Sequence, residues 1–344
     1  MSPIFNEIEL APLRALLSRS QKIVLVTHVY PDGDAVGSLQ GLAGFLRALG
    51  KEVQTIIPTP CPDYLSFLNQ AAPHKIWIHR YTPKACIEAL QGADAIFCLD
   101  INMLSRLEAL GDIVRTLPQP KILIDHHLDP IREEFDMVFS VPGLSSSCEV
   151  LYRLMVQLAM LKELPPSIAE PLYVGLMTDT NNFSNSVTAE TFEVAAALLH
   201  TGVCKEKVQQ YVFGDFSEHR MRFMAHAVLN KMVLIKPHRA AYIALSLVEQ
   251  EQFGFRVGDT EGFVNIPLNI SGVDISMLFV ETADFIRVSL RSRPPIDVNE
   301  MAKRFFNGGG HRLASGGKLY CSFMELPGVI LHALENATDK TLAR

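Results

Sequence analysis

No apolar run in this 344-residue chain approaches the roughly 18–20 residues that a membrane-spanning helix needs, so no membrane partner is expected. Cysteines in metal-ligand spacing are also missing. Cys61, Cys86, Cys98, Cys148, Cys204 and Cys321 are scattered, with no C-x-x-C pair, which argues against a thiolate metal site and reads as six reduced thiols. Several, such as Cys98 in AIFCLD, sit in apolar stretches where a free thiol behaves as a small hydrophobe. The opening MSPIFNEIEL has neither a basic leader nor an apolar h-region, so a cytoplasmic location is expected. A basic excess is lacking too: the formal net charge is −6. A protein that grips long duplex nucleic acid through many phosphates carries a basic field, so long duplexes are excluded as partners. Tandem repeats and low-complexity tracts are absent.

What is present fits an ordinary folded protein of two domains. Hydrophobic residues make up 48% and charged residues 20% of the chain, and the length exceeds one typical core. Acidic residues outnumber basic ones over residues 1–230, whereas residues 231–344 are close to neutral. An acidic half that handles phosphate must carry its positive charge on bound cations.

Short apolar strands alternate with helical patterns through the first half. KIVLVTH, EVQTIIP, KIWIH, AIFCLD and KILIDHH read as strands, with GSLQGLAGFLRALG between the first two at helical spacing. That alternation predicts an α/β fold with a mostly parallel sheet flanked by helices. Ser146 and Glu149 form an S-x-x-E signature that predicts a capping box at the start of the next helix. Helical patterns follow around 167–178, 188–200, 205–213 and 217–230. From about Lys231 the texture turns to strands (KMVLIK, AAYIALSL, VDISMLFVE, DFIRVSLRS and GKLYCSF), with a final helix over 325–337. We read residues 1–190 as one domain, 191–230 as a helical connector and 231–344 as a smaller α/β domain, with a cleft between the two domains.

The residues that carry chemistry fall where apolar strands end. His28, Asp32 and Asp34 follow the first strand in H-V-Y-P-D-G-D-A-V-G-S, Asp100 follows AIFCL, and Asp125-His126-His127 closes KILID. Asp179, in GLMTDTNNFS, follows a helical pattern. A lone Asp or His at such a place is usually a cap or a hydrogen-bonded loop residue. The conjunction of D-x-D with D-H-H is what departs from chance. In open α/β sheets ligands bind where the carboxyl ends of the strands converge, so these loops point at one place. Carboxylates and imidazoles without thiolates suit Mn²⁺ or Mg²⁺ better than a structural zinc. Two such cations, roughly 3.5–4 Å apart and bridged by one carboxylate, clamp an attacking water and a phosphoryl oxygen.

Taken together, H-x-x-P-D-G-D-A-x-G-S at 28–38, Asp100, D-H-H at 125–127, T-D-T at 178–180 and G-G-G-H at 308–311 followed by A-S-G-G resemble the DHH/DHHA1 phosphoesterases over nearly the whole chain. The likeness is to their oligoribonuclease and 3′-phosphoadenosine-5′-phosphate (pAp) phosphatase branch. The resemblance implies a DHH metal-binding catalytic domain and a DHHA1 substrate-binding domain. It places one cation on His28, Asp32 and Asp100 and the other on Asp34, Asp100, His126 and Asp179, with Asp100 bridging. His127 would contact the scissile phosphate, polarising it or assisting the leaving group. Asp125 would orient the imidazoles from behind. Mn²⁺ is the favoured ion, with Mg²⁺ as the alternative.

In the second half, the glycines of FNGGGHRLASGG permit close backbone approach to a ligand, and exposed amides in such a loop form an anion cradle. Arg291-Ser292-Arg293 ends a strand and offers bidentate phosphate contact. By resemblance, Arg291, Ser292, Gly308, Gly309, Gly310 and His311 belong to the substrate-binding domain. Two positions depart from the family pattern: Asn181 stands where Gly is expected, and Asn307 stands where a fourth Gly is common. The expected activity is hydrolysis of pAp and of short oligoribonucleotides. The alternative is a phosphodiesterase for cyclic di-AMP or pApA, and a non-catalytic nucleotide sensor is the reading from another class. The sequence leaves homodimer formation open.

Overall fold

Six parallel strands organise the N-terminal unit of the computed structural model, which describes residues 2–70 and 75–337. Residues 1, 71–74 and 338–344 of the expected domains lie outside the described residues. The strands are β1 (Lys22–Val26), β2 (Glu52–Ile57), β3 (Trp77–Ile78), β4 (Ala95–Leu99), β5 (Lys121–Asp125) and β6 (Met137–Ser140). Their spatial order is β3-β2-β1-β4-β5-β6, and every neighbouring pair is parallel. The chain reverses its direction of travel across the sheet between β1 and β4, which makes the gap between their carboxyl ends the switch point where such folds bind ligands.

Alternation along the strands explains why both faces are covered. Ile23, Leu25, Phe97, Leu99, Ile122 and Ile124 enter one core with α1 (Glu7–Arg19), α2 (Gly33–Ala48), α6 (Ser147–Leu158), α7 (Pro166–Asp179) and α8 (Ala189–His200). The intervening Val24, Val26, Ile96, Cys98 and Leu123 enter a second core with α4 (Pro83–Gln91) and α5 (Ala109–Thr116). Two further helices, α3 (Ser66–Gln70) and α9 (Lys205–Phe213), complete the unit. Strands buried on both faces read as continuous apolar runs, as KIVLV and AIFCL do. The expected mostly parallel sheet flanked by helices is what the chain forms.

Helices α2 and α7 approach closely through small residues. A Cβ on Gly33 would lie 2.3 Å from Thr178 Oγ1, one on Gly37 would lie 2.5 Å from the Pro171 carbonyl, and one on Gly41 would lie 2.5 Å from Leu172 Cδ2. Only hydrogen fits at these contacts, so this glycine stripe sets the distance between the first turn of α2 and the last turn of α7. Those turns carry Asp34 and Asp179.

The expected capping box at α6 forms by half. Ser146 accepts from the Glu149 amide at 3.0 Å. The Glu149 carboxylate, however, turns to the Ser145 amide (3.2 Å) and hydroxyl (2.5 Å) and to the Thr191 hydroxyl (3.0 Å) instead of the Ser146 amide. All three donors meet one oxygen, Oε2, of this fully buried carboxylate. Glu149 thereby ties the turn before α6 to α8.

The chain divides into its second compact unit between Asp215 and Phe216. Here α10 (Glu218–His226) runs through a π turn, Ala227–Lys231, into β7 (Met232–Ile235) and β8 (Ala240–Leu245). Then come α11 (Leu247–Gln252), β9 (Ile275–Glu281), β10 (Ile286–Ser292), α12 (Val298–Phe305), β11 (Gly309–His311), β12 (Ala314–Leu319) and α13 (Leu326–Glu335). The sheet order is β11-β12-β10-β9-β8-β7; β8 and β9 are parallel, and the other pairs are antiparallel. Met277, Phe279, Val288 and Leu290 pack with α12 and α13, whereas Ile243, Leu245, Leu278 and Val280 pack with Phe223 and Phe263 on the other face.

One expectation is corrected in this unit. The last strand is Ala314–Leu319 and not GKLYCSF, so A-S-G-G lies inside it. The Gly-rich segment forms a hairpin at the sheet edge: Gly309, Gly310 and His311 pair with Gly316, Ser315 and Ala314. Its glycines answer to the backbone. A Cβ on Gly308 would sit 1.8 Å from the Gly316 carbonyl, one on Gly317 would sit 2.2 Å from the Phe306 carbonyl, and Gly310 adopts φ +144°.

Candidate metal centre and active site

Three strand ends and two helix ends bring the acidic and imidazole groups of the first unit together. His28 lies two residues beyond β1, Asp100 follows β4 directly, and Asp125 is the last residue of β5, with His126 and His127 next. Asp32 is the N-cap of α2, and its Oδ1 accepts from the Asp34 and Ala35 amides at 3.1 Å each. Asp34 occupies the first turn of α2 and Asp179 ends α7. Asp100 has φ +57°, a left-handed conformation that costs a non-glycine residue about 1–2 kcal/mol. Strain of this kind persists only where the surroundings enforce it.

Ligand-capable atoms of His28, Asp32 and Asp100 lie within 4.8 Å of one another, and those of Asp34, His126 and Asp179 form a second such group. His28 Nε2 is 3.3 Å from Asp100 Oδ2. His126 Nε2 is 3.4 Å from Asp179 Oδ2 and 3.8 Å from both Asp34 Oδ2 and Asp100 Oδ1. Two donors that share an ion at about 2.0–2.2 Å sit about 3–4 Å apart, so these spacings fit divalent cations. Asp100 reaches both groups. The imidazoles are turned to suit: His28 Nδ1 is 2.9 Å from the Val29 carbonyl and His126 Nδ1 is 3.2 Å from the Leu144 carbonyl. A carbonyl only accepts, so each Nδ1 carries a hydrogen and Nε2 is the nitrogen turned to the cluster.

The electrostatics carry the mark of carboxylates gathered without enough positive charge. Burial, followed by repulsion from Asp100 and Asp179, pushes the Asp34 carboxyl well above the usual range. Asp100 is buried as well, but a hydrogen bond from His28 and the nearby His127, His28 and His126 charges outweigh burial and hold it well below. Burial disfavours a charged His126, yet Asp179, Asp34, Asp100 and Asp125 overcome that and push its pKa up to about 9. Acidic and basic groups pushed so far from their ordinary values in one place mark a functional site.

Other groups hold this arrangement in place, and no local sequence pattern announces them. The Ser147 and Cys148 amides, at the start of α6, donate to Asp34 Oδ2 at 2.7 Å and Oδ1 at 2.9 Å. The Ser147 hydroxyl donates to Asp100 Oδ1 at 2.8 Å. His127 makes a separate chain of bonds. Its Nδ1 is 2.7 Å from Asp125 Oδ1, its amide donates to Asp125 Oδ2 at 3.0 Å, and Arg106 Nη1 donates to its Nε2 at 2.9 Å. A guanidinium cannot accept, so His127 carries its hydrogen on Nδ1 and its lone pair on Nε2. Burial, and then the Arg106 charge, hold the His127 pKa below the ordinary histidine value. Asp125 therefore orients His127 directly, and it is fully buried in doing so.

In the second unit, Arg291 and Ser292 end β10, where Arg291 stands opposite Ser276 and Ala314. Its Nη1 donates to the Leu290 carbonyl at 2.9 Å, and the buried Ser292 hydroxyl donates to the Ile296 carbonyl at 2.8 Å. Gly308 leads into the edge strand formed by Gly309, Gly310 and His311. The departures noted in the sequence also find their reason. Asn181 has φ +49° and Asn307 has φ +45°. Asparagine is the residue that best replaces glycine in the left-handed region.

Comparison with known proteins agrees with this picture. Residues 22–176 match the DHH family's N-terminal domain, and residues 240–337 match the DHHA1 domain. The bifunctional oligoribonuclease and PAP phosphatase NrnA of Bacillus subtilis (strain 168) is 29% identical over 312 residues, covering 88% of this chain and 91% of that protein. The cyclic-di-AMP phosphodiesterase PdeA of Listeria monocytogenes serotype 1/2a (strain 10403S) is 24% identical, over 87% of this chain and 45% of its own length. Among solved structures, an exopolyphosphatase-related protein from Bacteroides fragilis superposes with a TM-score of 0.91 at 36% identity, covering 99% of each chain. This chain belongs to the DHH family of phosphoesterases and carries a DHHA1 domain behind its DHH domain.

Proposed function

We propose that this enzyme hydrolyses phosphate esters of small nucleotides, namely pAp and short oligoribonucleotides, and that Mn²⁺ is its working ion, with Mg²⁺ as substitute. The observation that carries the reading is the convergence of His28, Asp32, Asp34, Asp100, His126 and Asp179 at the switch point of the sheet. Likeness to the Bacillus subtilis enzyme over nearly its whole length supports the substrate class. The near-neutral second unit favours short ligands over long polymers, and the six free thiols suit the cytoplasm.

His28, Asp32 and Asp100 would hold one cation, and Asp34, Asp100, His126 and Asp179 the other. When bound, such a pair supplies Lewis acidity, which acidifies water and neutralises charge on the phosphoryl oxygens. The ester is cleaved by addition of water: the phosphoryl group gains the hydroxyl and the leaving oxygen gains a proton. His127 accepts at Nε2, so it must take up a proton there before it can donate to a phosphate or leaving oxygen. Asp125, at 2.7 Å from Nδ1, stabilises the ring that has done so. Arg291, Ser292 and the Gly308–His311 segment are the part of the reading assigned to substrate.

A second reading, hydrolysis of cyclic di-AMP or pApA, is favoured by the likeness to the Listeria phosphodiesterase. Side-by-side assay of pAp, pApA, cyclic di-AMP, short RNA and pyrophosphate with each cation separates the two. Phosphate release from pAp that needs Mn²⁺ and is abolished by Asp100→Ala is expected. Binding of pAp without turnover would identify a sensor instead.

A further inference from the structure

Arg106 sits on the short 3₁₀ turn Leu104–Leu107, just beyond Asp100. Its carbonyl accepts from the Val29 amide at 3.1 Å, which ties this turn to the loop that carries His28. Its guanidinium, half-buried, donates to His127 Nε2 at 2.9 Å. Among the described residues, no carboxylate lies within ion-pair distance of it. An arginine beside a site crowded with aspartates has thus been placed to touch none of them and to rest on a neutral imidazole nitrogen.

That resting partner is a weak one for a guanidinium. Arginine presents five donors in a planar fork that matches phosphate oxygens two at a time, and charge-assisted bonds to such oxygens are about twice as strong as neutral ones. A phosphoryl group arriving beside His127 would displace the imidazole as the better acceptor. We propose that Arg106 is a substrate-phosphate ligand that rests on His127 Nε2 in the free enzyme. When the phosphate arrives, Arg106 exchanges that bond for one to a phosphoryl oxygen. The exchange releases His127 Nε2 to face the substrate at the moment the substrate is in place. No covalent change occurs in this step; one hydrogen bond replaces another. The inference rests on the phosphoesterase reading for the nature of the ligand, but its geometry stands on Arg106, His127 and Asp125 alone.

The test uses the full chain and three variants: Arg106→Ala, Arg106→Lys and Arg106→Gln. Inorganic phosphate is titrated into Mg²⁺-loaded protein by calorimetry, metal content is measured on the same samples, and pAp kinetics are run with Mn²⁺. Arg106→Ala should weaken phosphate binding by at least about tenfold and lower kcat/KM by about 100-fold, with metal content unchanged. Added guanidinium should restore part of the lost rate, which a purely structural role would not allow. Arg106→Lys, which keeps the charge without the fork, should fall in between. Arg106→Gln decides the matter: it retains an N–H for His127 but has no charge, and it should behave like the alanine variant. Wild-type phosphate affinity and turnover in Arg106→Gln would show that the residue merely holds His127, and would overturn the proposal. A wild-type protein that does not hydrolyse pAp would sink the pAp reading, while the phosphate titration would still decide the role of Arg106.

Discussion

The Ser147 hydroxyl and the His28 imidazole grip opposite oxygens of Asp100, Ser147 at 2.8 Å on Oδ1 and His28 Nε2 at 3.3 Å from Oδ2. The carboxylate proposed to bridge two cations therefore has its plane set before any ion arrives. The same turn holds Asp34 through the Ser147 and Cys148 amides. Residues that orient metal ligands from behind typically cost 10–100-fold in affinity when lost.

Ser147→Ala should thus weaken Mn²⁺ binding by about 10–100-fold and leave the fold intact, since the backbone amides on Asp34 remain. Calorimetric titration of Mn²⁺ into chelator-treated protein reads the effect directly. Affinity equal to that of the wild type would remove Ser147 from the account.

Gly175 tests the closeness of α2 and α7. A Cβ there would lie 2.2 Å from Cys148 Sγ and 2.9 Å from Asp34 Oδ1. Gly175→Ala should cost about 1–3 kcal/mol by overpacking and displace Asp34 from the cluster. In a domain of this size that lowers the melting temperature by about 2–4 °C per kcal/mol, with Mn²⁺ affinity falling alongside. Gly143→Ala, where nothing lies within 4 Å of the added carbon, serves as the control and should be nearly silent.

Metal-free protein should lose stability as pH rises from about 6.5 to 9. The folded-state pKa of His126 is raised to about 9 from the ordinary 6.5, so its contribution is fully present below about 6.5 and disappears as pH passes through 9. Asp34, also raised, acts in the same sense. The loss is on the order of 3 kcal/mol for His126. Saturating Mn²⁺ should cancel or reverse the trend, because metal binding expels the same proton and gains strength with pH. Melting temperatures across this range, with and without chelator, check the sign. A chelated protein that becomes more stable toward pH 9 would contradict it.

The sequence made the strands and their terminal residues legible because both depend on local pattern. KIVLV and KILID had to be buried strands, and the groups that follow a parallel strand face the switch point whatever the rest of the chain does. Asp34 and Asp179 were legible as residue types in motifs, but not the glycine stripe that brings their helices together. Ser147 and Arg106 were illegible for a plainer reason. Ser147 meets Asp34 from 113 residues away and Asp100 from 47 away, and neither separation leaves a local trace. Arg106 lies on a 3₁₀ turn with no amphipathic signature. The Gly308–Gly310 run was legible as glycine-rich, but not the hairpin against Ala314–Gly317 that leaves no room for a side chain at Gly308 and Gly310. Asn181 and Asn307 show the converse, since residue substitutions that looked like departures preserve a left-handed backbone.

The central claim concerns ions, and anomalous diffraction at the manganese edge addresses it most directly. Crystals grown with Mn²⁺ should show two peaks, one among His28, Asp32 and Asp100 and one among Asp34, Asp100, His126 and Asp179, with Asp100 touching both. Absence of anomalous density at these side chains, or a single ion that leaves Asp100 uncoordinated, would contradict the account.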